Sequence, residues 1–313
     1  MSGYRQPTFV FIGVTTGSSS MMRIFPSWVK ELGRPEVVIE GIDLQIHDNP
    51  DRYRSVVTRI KSDPNCLGGL VTTHKIDLFE AAGDLFDSLE PDALLLGEVT
   101  SISKRKGRLE GHAVDIRSAG LSLDAIVGTS YFGRSGGQVL CFGAGGSATA
   151  TLLTLIRKKN DADRPKKITL VDRLPERLSR IRTLLEKLPT TDIEIETVLN
   201  ENRLTNDELL AHLPEGSLVI NATGMGKDTP GSPVTESGKF PLNGIVWEFN
   251  YRGELDFYHQ ALAQRERRGL KVEDGWLYFL YGWSLVLSHV LHLEITPALF
   301  NALAEIAADQ RSN

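Results

Sequence analysis

The stretch QVLCFGAGGSATATLLTLIRKK, residues 138–159, decides the fold. Gln138 to Phe142 reads as a short apolar strand, Gly143 to Ala148 as a tight glycine-rich turn, and Thr149 to Lys159 as a helix. Gly143, Gly145 and Ala148 fit the pattern G-x-G-x-x-[GA]. The first position permits the turn, the second lets a pyrophosphate come against the backbone, and the third lets the helix pack closely on its strand. Gly146 and Ser147 complete a turn that brings backbone amides and a helix N-terminus towards an anion. The next strand, Ile168 to Val171, ends at Asp172, 29 residues beyond Gly143. That is longer than the usual offset of roughly 20 residues, and the polar loop Asn160 to Lys167 takes up the difference. A carboxylate there accepts from ribose hydroxyls and repels a 2′-phosphate, whereas the adjoining Arg173 is able to hold that phosphate. The expected cofactor is NAD, with NADP as the alternative.

Working outward, the same grammar runs through the chain. Phe9 to Val14, Val37 to Leu44 and Gly68 to Thr72 read as strands, and Ile24 to Leu32, Pro50 to Lys61 and Ile76 to Asp87 as helices, with Asp48 or Asn49 capping the second. Glu98 to Ile102 is extended, a hairpin falls at Lys106-Gly107, and Asp115 opens a helix over Ile116 to Ile126. Further strands are expected at Ile193 to Val198, Leu218 to Asn221 and Ile245 to Asn250. Alternating strands and helices make a parallel α/β sheet. The Gly- and Ser-rich stretch 128–137 separates two halves, and the boundary is placed near Arg117: an N-terminal α/β domain, then a Rossmann-type doubly wound domain.

Composition fits two soluble domains. The chain has 313 residues, 41% hydrophobic and 24% charged, with 35 Lys and Arg against 40 Asp and Glu for a net charge of −5. Nothing in that balance attracts nucleic acid or an anionic membrane. Two cysteines, Cys66 and Cys141, exclude a thiolate metal cluster and point to a reducing, cytoplasmic compartment. The uncharged run from Trp276 to Leu293 contains Gly282, Ser284, Ser288 and two histidines and falls short of a membrane span of about 20 apolar residues. His289 and His292 lack a third ligand, so no metal is expected.

Four segments together resemble the shikimate and quinate dehydrogenases: Gly143 to Ala150, Asn221-Ala222-Thr223-Gly224-Met225-Gly226, Val71-Thr72-Thr73-His74-Lys75, and Gly111-His112-Ala113-Val114-Asp115. The resemblance runs from the Ser18-Ser19-Ser20 loop to the final helices. It implies an NAD(P)-dependent alcohol dehydrogenase acting on a CH–OH group. Residues 1–117, completed by helices over 276–313, would hold a small-molecule substrate, and residues 118–275 the dinucleotide. By position, Lys75 and Asp115 correspond to the catalytic pair, Ser18 and Ser20 to hydroxyls that bind a substrate carboxylate, and Thr72, Thr100 and Tyr251 to further substrate-side residues. Asn221, Thr223 and Met225 fall on the loop beside the nicotinamide. Glu248, Asn250 and Tyr251 match the family's D-x-x-Y region. Nucleic acid and membrane are not expected partners, and a homodimer stays open.

The departures concern the substrate. The proline of V-T-x-P-x-K is missing and the segment is one residue shorter. Thr100-Ser101 and Ala113-Val114 replace two Asn-Thr pairs, and Gly282 stands where the family has a glutamine. Arg23, next to the serine loop, supplies a guanidinium suited to an anion. Lost amides change discrimination far more than a misplaced methyl group. The alcohol is therefore expected to be another cyclic polyol or hydroxy acid, with shikimate itself as the in-class alternative and a non-catalytic nucleotide-binding sensor or scaffold as the alternative from another class.

Overall fold

The computed structural model describes residues 3–311. The chain divides into two compact units: one runs up to Val114 and resumes at Gly282, and the other is Asp115–Tyr281.

The first unit contains β1 (Thr8–Gly13), β2 (Val38–Asp43), β3 (Cys66–Val71), β4 (Ser88–Leu89), β5 (Ser101–Arg105) and β6 (Arg108–His112). They form one sheet in the order β2-β1-β3-β5-β6-β4. β2, β1 and β3 are parallel, whereas β5 runs antiparallel to β3 and forms an antiparallel hairpin with β6. Side chains alternate along β1 as a pleated strand requires. Val10 and Ile12 join a core with Val71, Ile102 and Tyr53, while Phe9 packs on Phe25 and both Phe9 and Phe11 pack on Trp283. The helix Ser20–Glu31 is tied to the final helix Pro297–Arg311 by the Trp28 indole, which donates to the Leu303 carbonyl at 2.8 Å.

The second unit holds β7 (Val139–Phe142), β8 (Lys167–Asp172), β9 (Glu194–Leu199), β10 (Leu218–Asn221), β11 (Ile245–Glu248) and β12 (Lys271–Glu273). Every pairing is parallel and the order is β12-β11-β10-β7-β8-β9. Counted from β7 this is the 3-2-1-4-5-6 arrangement of a doubly wound nucleotide fold. The sheet is buried on both faces: Val139, Cys141, Ile168, Leu170, Leu218 and Ile220 enter one core, and Leu140, Phe142, Val171 and Val219 the other. Both thiols are buried, and burial pushes the Cys66 thiol up to about 11 and the Cys141 thiol well above its ordinary value.

Several boundaries differ from the sequence reading, for local reasons. The helix after the glycine turn begins at Gly146 and ends at Ile156, because the turn residues themselves form its first coil. The segment expected as one helix to Asp87 is a helix over Lys75–Ala82 followed by a 3-10 turn over Gly83–Leu85, since Gly83 interrupts it. The helix Pro91–Leu96 escaped the sequence reading although it starts with proline and stops at Gly97 with φ +63, the usual helix punctuation. The short strands β4 and β12 carry too few residues to show a period. Of the two candidate caps, Asn49 accepts from the Asp51 amide at 2.9 Å. No described helix is long and apolar enough to cross a membrane.

Candidate functional site

In the second unit the glycine turn has the geometry of an anion cradle. Gly143 sits at φ +103, and a Cβ there would stand 2.5 Å from the Ala222 carbonyl oxygen. Glycine is required on both counts. A Cβ on Gly145 would meet no atom within 4 Å, so the protein leaves that side of the turn open. The helix Gly146–Ile156 starts without a side-chain cap, leaving its first N–H groups for a ligand. Ser147 is half-buried and Ala148, buried, lets the helix lie close to the sheet. These features fit a pyrophosphate.

Asp172 is buried at the end of β8. One carboxylate oxygen accepts from the Ala144 amide at 2.7 Å and the other from the Leu174 amide at 2.9 Å, with the Arg177 guanidinium 3.6 Å away. It therefore braces the turn, and the remaining lone pairs are what it has for a ribose. Arg173 beside it is exposed and makes no ion pair among the described residues.

At the end of β10, Asn221 is buried and wired on both sides of its amide. Its Oδ1 accepts from the Thr223 hydroxyl at 2.6 Å and the Thr223 amide at 3.1 Å, and its Nδ2 donates to Glu248 at 2.6 Å. The Thr223 hydroxyl accepts in turn from the Met225 amide at 3.1 Å, and Asn250 donates to both the Met225 carbonyl and Glu248. The Met225 loop is thus fixed from behind by a carboxylate. Burial pushes Glu248 up to about 7, against the pull of the three hydrogen bonds it accepts. Tyr251, half-buried, packs its ring on Phe279 at 4.5 Å and on Trp276 at 5.5 Å. Asp115 is the buried first residue of the helix Asp115–Val127.

In the first unit the ends of the parallel strands carry the other candidates. Thr72 follows β3, and its amide donates to the Ile12 carbonyl at 3.0 Å. Lys75, half-buried, is the first residue of the helix Lys75–Ala82. The Thr100 side chain is buried and engaged, donating to the His112 carbonyl at 3.1 Å and accepting from the Val114 amide at 2.7 Å. Ala113 and Val114 are buried and apolar. After β1, Ser18 is exposed and donates to the Thr15 carbonyl at 2.8 Å; Ser19 caps the helix that Ser20 begins, and Arg23 is exposed one turn further on. His112 faces Glu90 at 3.6 Å, Ser103 at 3.3 Å and the His289 ring at 4.2 Å.

Two anchors were missed from the sequence, and a third, Glu248, was read there only as part of a family motif. Asp43 at the end of β2 accepts from the Thr16 amide at 2.8 Å and hydroxyl at 2.6 Å, which pins the serine loop and holds its own carboxyl below the usual range. Tyr53 reaches His74. Glu248 fixes the Met225 loop. Only Glu248 carried a signal, as an acid two residues before Asn250 at a strand end.

No family model matches the chain. A shikimate dehydrogenase (NADP(+)) of Methylobacterium radiotolerans is 27% identical over 249 residues, covering 76% of this chain and 80% of that protein. One of Symbiobacterium thermophilum is 30% identical over 228 residues, covering 72% and 70%. Among solved structures, a shikimate dehydrogenase in complex with NADP+ superposes with a TM-score of 0.73 at 18% identity, over 100% of this chain and 98% of the other. A ligand-free 5-ketofructose reductase of Gluconobacter sp. strain CHM43 gives 0.69 at 18%, over 98% and 99%.

Proposed function

The chain belongs to the shikimate dehydrogenase family, and from that premise we propose that it is an NAD(P)-dependent oxidoreductase that reversibly oxidises the secondary alcohol of a cyclic polyol or hydroxy acid. The observation that carries the reading is the turn at Gly143, with its uncapped helix and the open side of Gly145, set in a 3-2-1-4-5-6 sheet. When bound, the dinucleotide supplies the acceptor for the hydride lost by the carbinol carbon.

The chain's own residues do the rest. Gly143, Gly145, Gly146, Ser147 and Ala148 cradle the pyrophosphate; Asp172 and Arg173 stand at the ribose end; Asn221 and Thr223 hold the Met225 loop at the nicotinamide end. Lys75 Nζ takes the hydroxyl proton as the alcohol becomes a ketone, with Asp115 as its acidic partner. Residues 1–117 and 276–313 bind the substrate and residues 118–275 the dinucleotide. Ser18, Ser20, Thr72 and Tyr251 orient the substrate, and Arg23 pairs with its anionic group.

Two features favour a substrate other than shikimate. The Thr100 hydroxyl is committed to the backbone of Val114 and His112, and apolar Ala113 and Val114 offer no side-chain amide to a ring hydroxyl. Shikimate oxidation is the competing reading, favoured by the names of the relatives. A screen of shikimate, quinate, cyclitols, sugar acids and their phosphates with both dinucleotides, followed by absorbance of the reduced nicotinamide, decides between them. Lys75→Ala is expected to lower turnover on the best alcohol by about a hundredfold to ten-thousandfold while dinucleotide affinity, read by fluorescence, is unchanged. Dinucleotide binding without oxidation of any alcohol would reject the enzyme reading in favour of a non-catalytic nucleotide-binding protein.

A further inference from the structure

We propose that Tyr53 and His74 form a buried clamp that positions Lys75, doing the work of the proline the lysine segment lacks. The inference rests on the reading that Lys75 handles the substrate proton.

The shortened segment closes as a three-residue turn: the His74 amide donates to the Thr72 carbonyl at 2.6 Å, with Thr73 between them at φ +64. A β-branched residue in that region is strained, and this hand of γ-turn is the rarer one. Such a conformation persists only when its surroundings determine it. Here they do. The His74 ring is wholly buried, its Nδ1 lies 3.1 Å from the Tyr53 hydroxyl, and the two rings pack at 5.6 Å. Nε2 makes no hydrogen bond among the described residues, and the Tyr53 phenol is the polar anchor of the ring there. Tyr53 is itself buried in the helix Pro50–Ser62, and its hydroxyl also accepts from the Asp48 amide at 3.2 Å and lies 3.4 Å from Asp77. On the far side, the His74 carbonyl accepts from the Leu78 amide at 2.9 Å and the Lys75 carbonyl from the Val99 amide at 3.1 Å. The clamp therefore sets where the helix begins, and Lys75 is its first residue. A shift of about 1 Å in a reacting group is enough to cost a hundredfold in rate.

The test uses Tyr53→Phe, His74→Leu and His74→Asn in the full chain, with the best alcohol from the screen. Tyr53→Phe and His74→Leu are expected to lower kcat by about tenfold or more, to leave KM for the dinucleotide within twofold, and to displace the pH profile of kcat. His74→Asn, whose amide reaches the Nδ1 position, should recover most of the loss. Lower thermal stability alone, with kcat and its pH profile unchanged in Tyr53→Phe and His74→Leu, would overturn the proposal.

Reductive ¹³C-methylation gives a second readout independent of turnover. The Lys75 resonance, assigned by its absence in Lys75→Arg, should shift in Tyr53→Phe, and an unchanged resonance would overturn the clamp. If wild type oxidises nothing while that resonance shifts, the dehydrogenase reading falls and the clamp stands.

Discussion

At the end of β7 the chain turns into a helix through Gly143 at φ +103, and at the end of β3 it turns into another through Thr73 at φ +64. Both turns leave a parallel strand at its carboxyl end, where open α/β sheets present ligand-binding groups. They meet the steric demand differently. The first is made of glycine, alanine and one serine, and what it chiefly offers is backbone: amides, an uncapped helix and free space above Gly145. The second offers a side chain, Lys75, and keeps a β-branched residue in a disfavoured conformation held by a buried imidazole and phenol. On the function proposed above, the side chains are stripped away where a dinucleotide would touch the main chain, and the surrounding structure sustains strain where a side chain would be aimed.

This contrast can be broken by substitution. Gly143→Ala should have the largest effect, because the methyl group meets the Ala222 carbonyl at 2.5 Å in a conformation alanine resists; a loss of about 3 kcal/mol or more is expected in denaturant unfolding. Titration separates the two regions next. Glu248, behind the Met225 loop, is pushed by burial from 4.5 up to about 7. A carboxyl whose folded value is raised binds its proton more tightly when folded, so its stabilising contribution is full below about 4.5 and is lost as pH rises through about 7. Between pH ~5 and ~8 the wild type should therefore lose about 2–3 kcal/mol relative to Glu248→Gln, and parallel stability curves would reject that assignment.

Thr73→Gly should behave oppositely to Gly143→Ala. Relief of the φ +64 conformation against the entropy of glycine leaves a stabilisation of up to about 1 kcal/mol, accompanied by lower kcat as the turn loosens; clear destabilisation would show that Thr73 is not strained. Gly145→Ala should leave unfolding within about 0.5 kcal/mol, because its methyl group meets nothing within 4 Å. It should nevertheless weaken dinucleotide binding, measured by fluorescence titration. The smallest effect is expected from Arg173→Ala, a fall of a few-fold in the NADP-to-NAD affinity ratio; an unchanged ratio would remove Arg173 from cofactor choice.

The second unit's architecture was legible because its strands are near-continuous apolar runs and its turn is spelled in glycine. Phe142-Gly143 and Val171-Asp172 carry their structure in local composition. The first unit was readable as strands and helices, but its turns were not. Nothing around Thr73 announces φ +64, since a β-branched residue there contradicts local preference and the cause lies in Tyr53, 20 residues earlier. Asp43 and Thr16 are likewise distant partners, 27 residues apart. Short elements such as β4 and β12 exist through their neighbours rather than their own period. Likewise the Thr100 hydroxyl looked available on the page of the sequence, and only its two backbone partners reveal that it is spoken for.

Cys66 and Cys141, one in each unit, are both buried with their thiolates strongly disfavoured. Maleimides and iodoacetamides react with thiolates at accessible positions, so the native chain should present an almost silent background to such reagents. A single cysteine introduced at an exposed site such as Leu94 or Leu204 would then carry a spin label or fluorophore alone, without first stripping the natural residues from the interior.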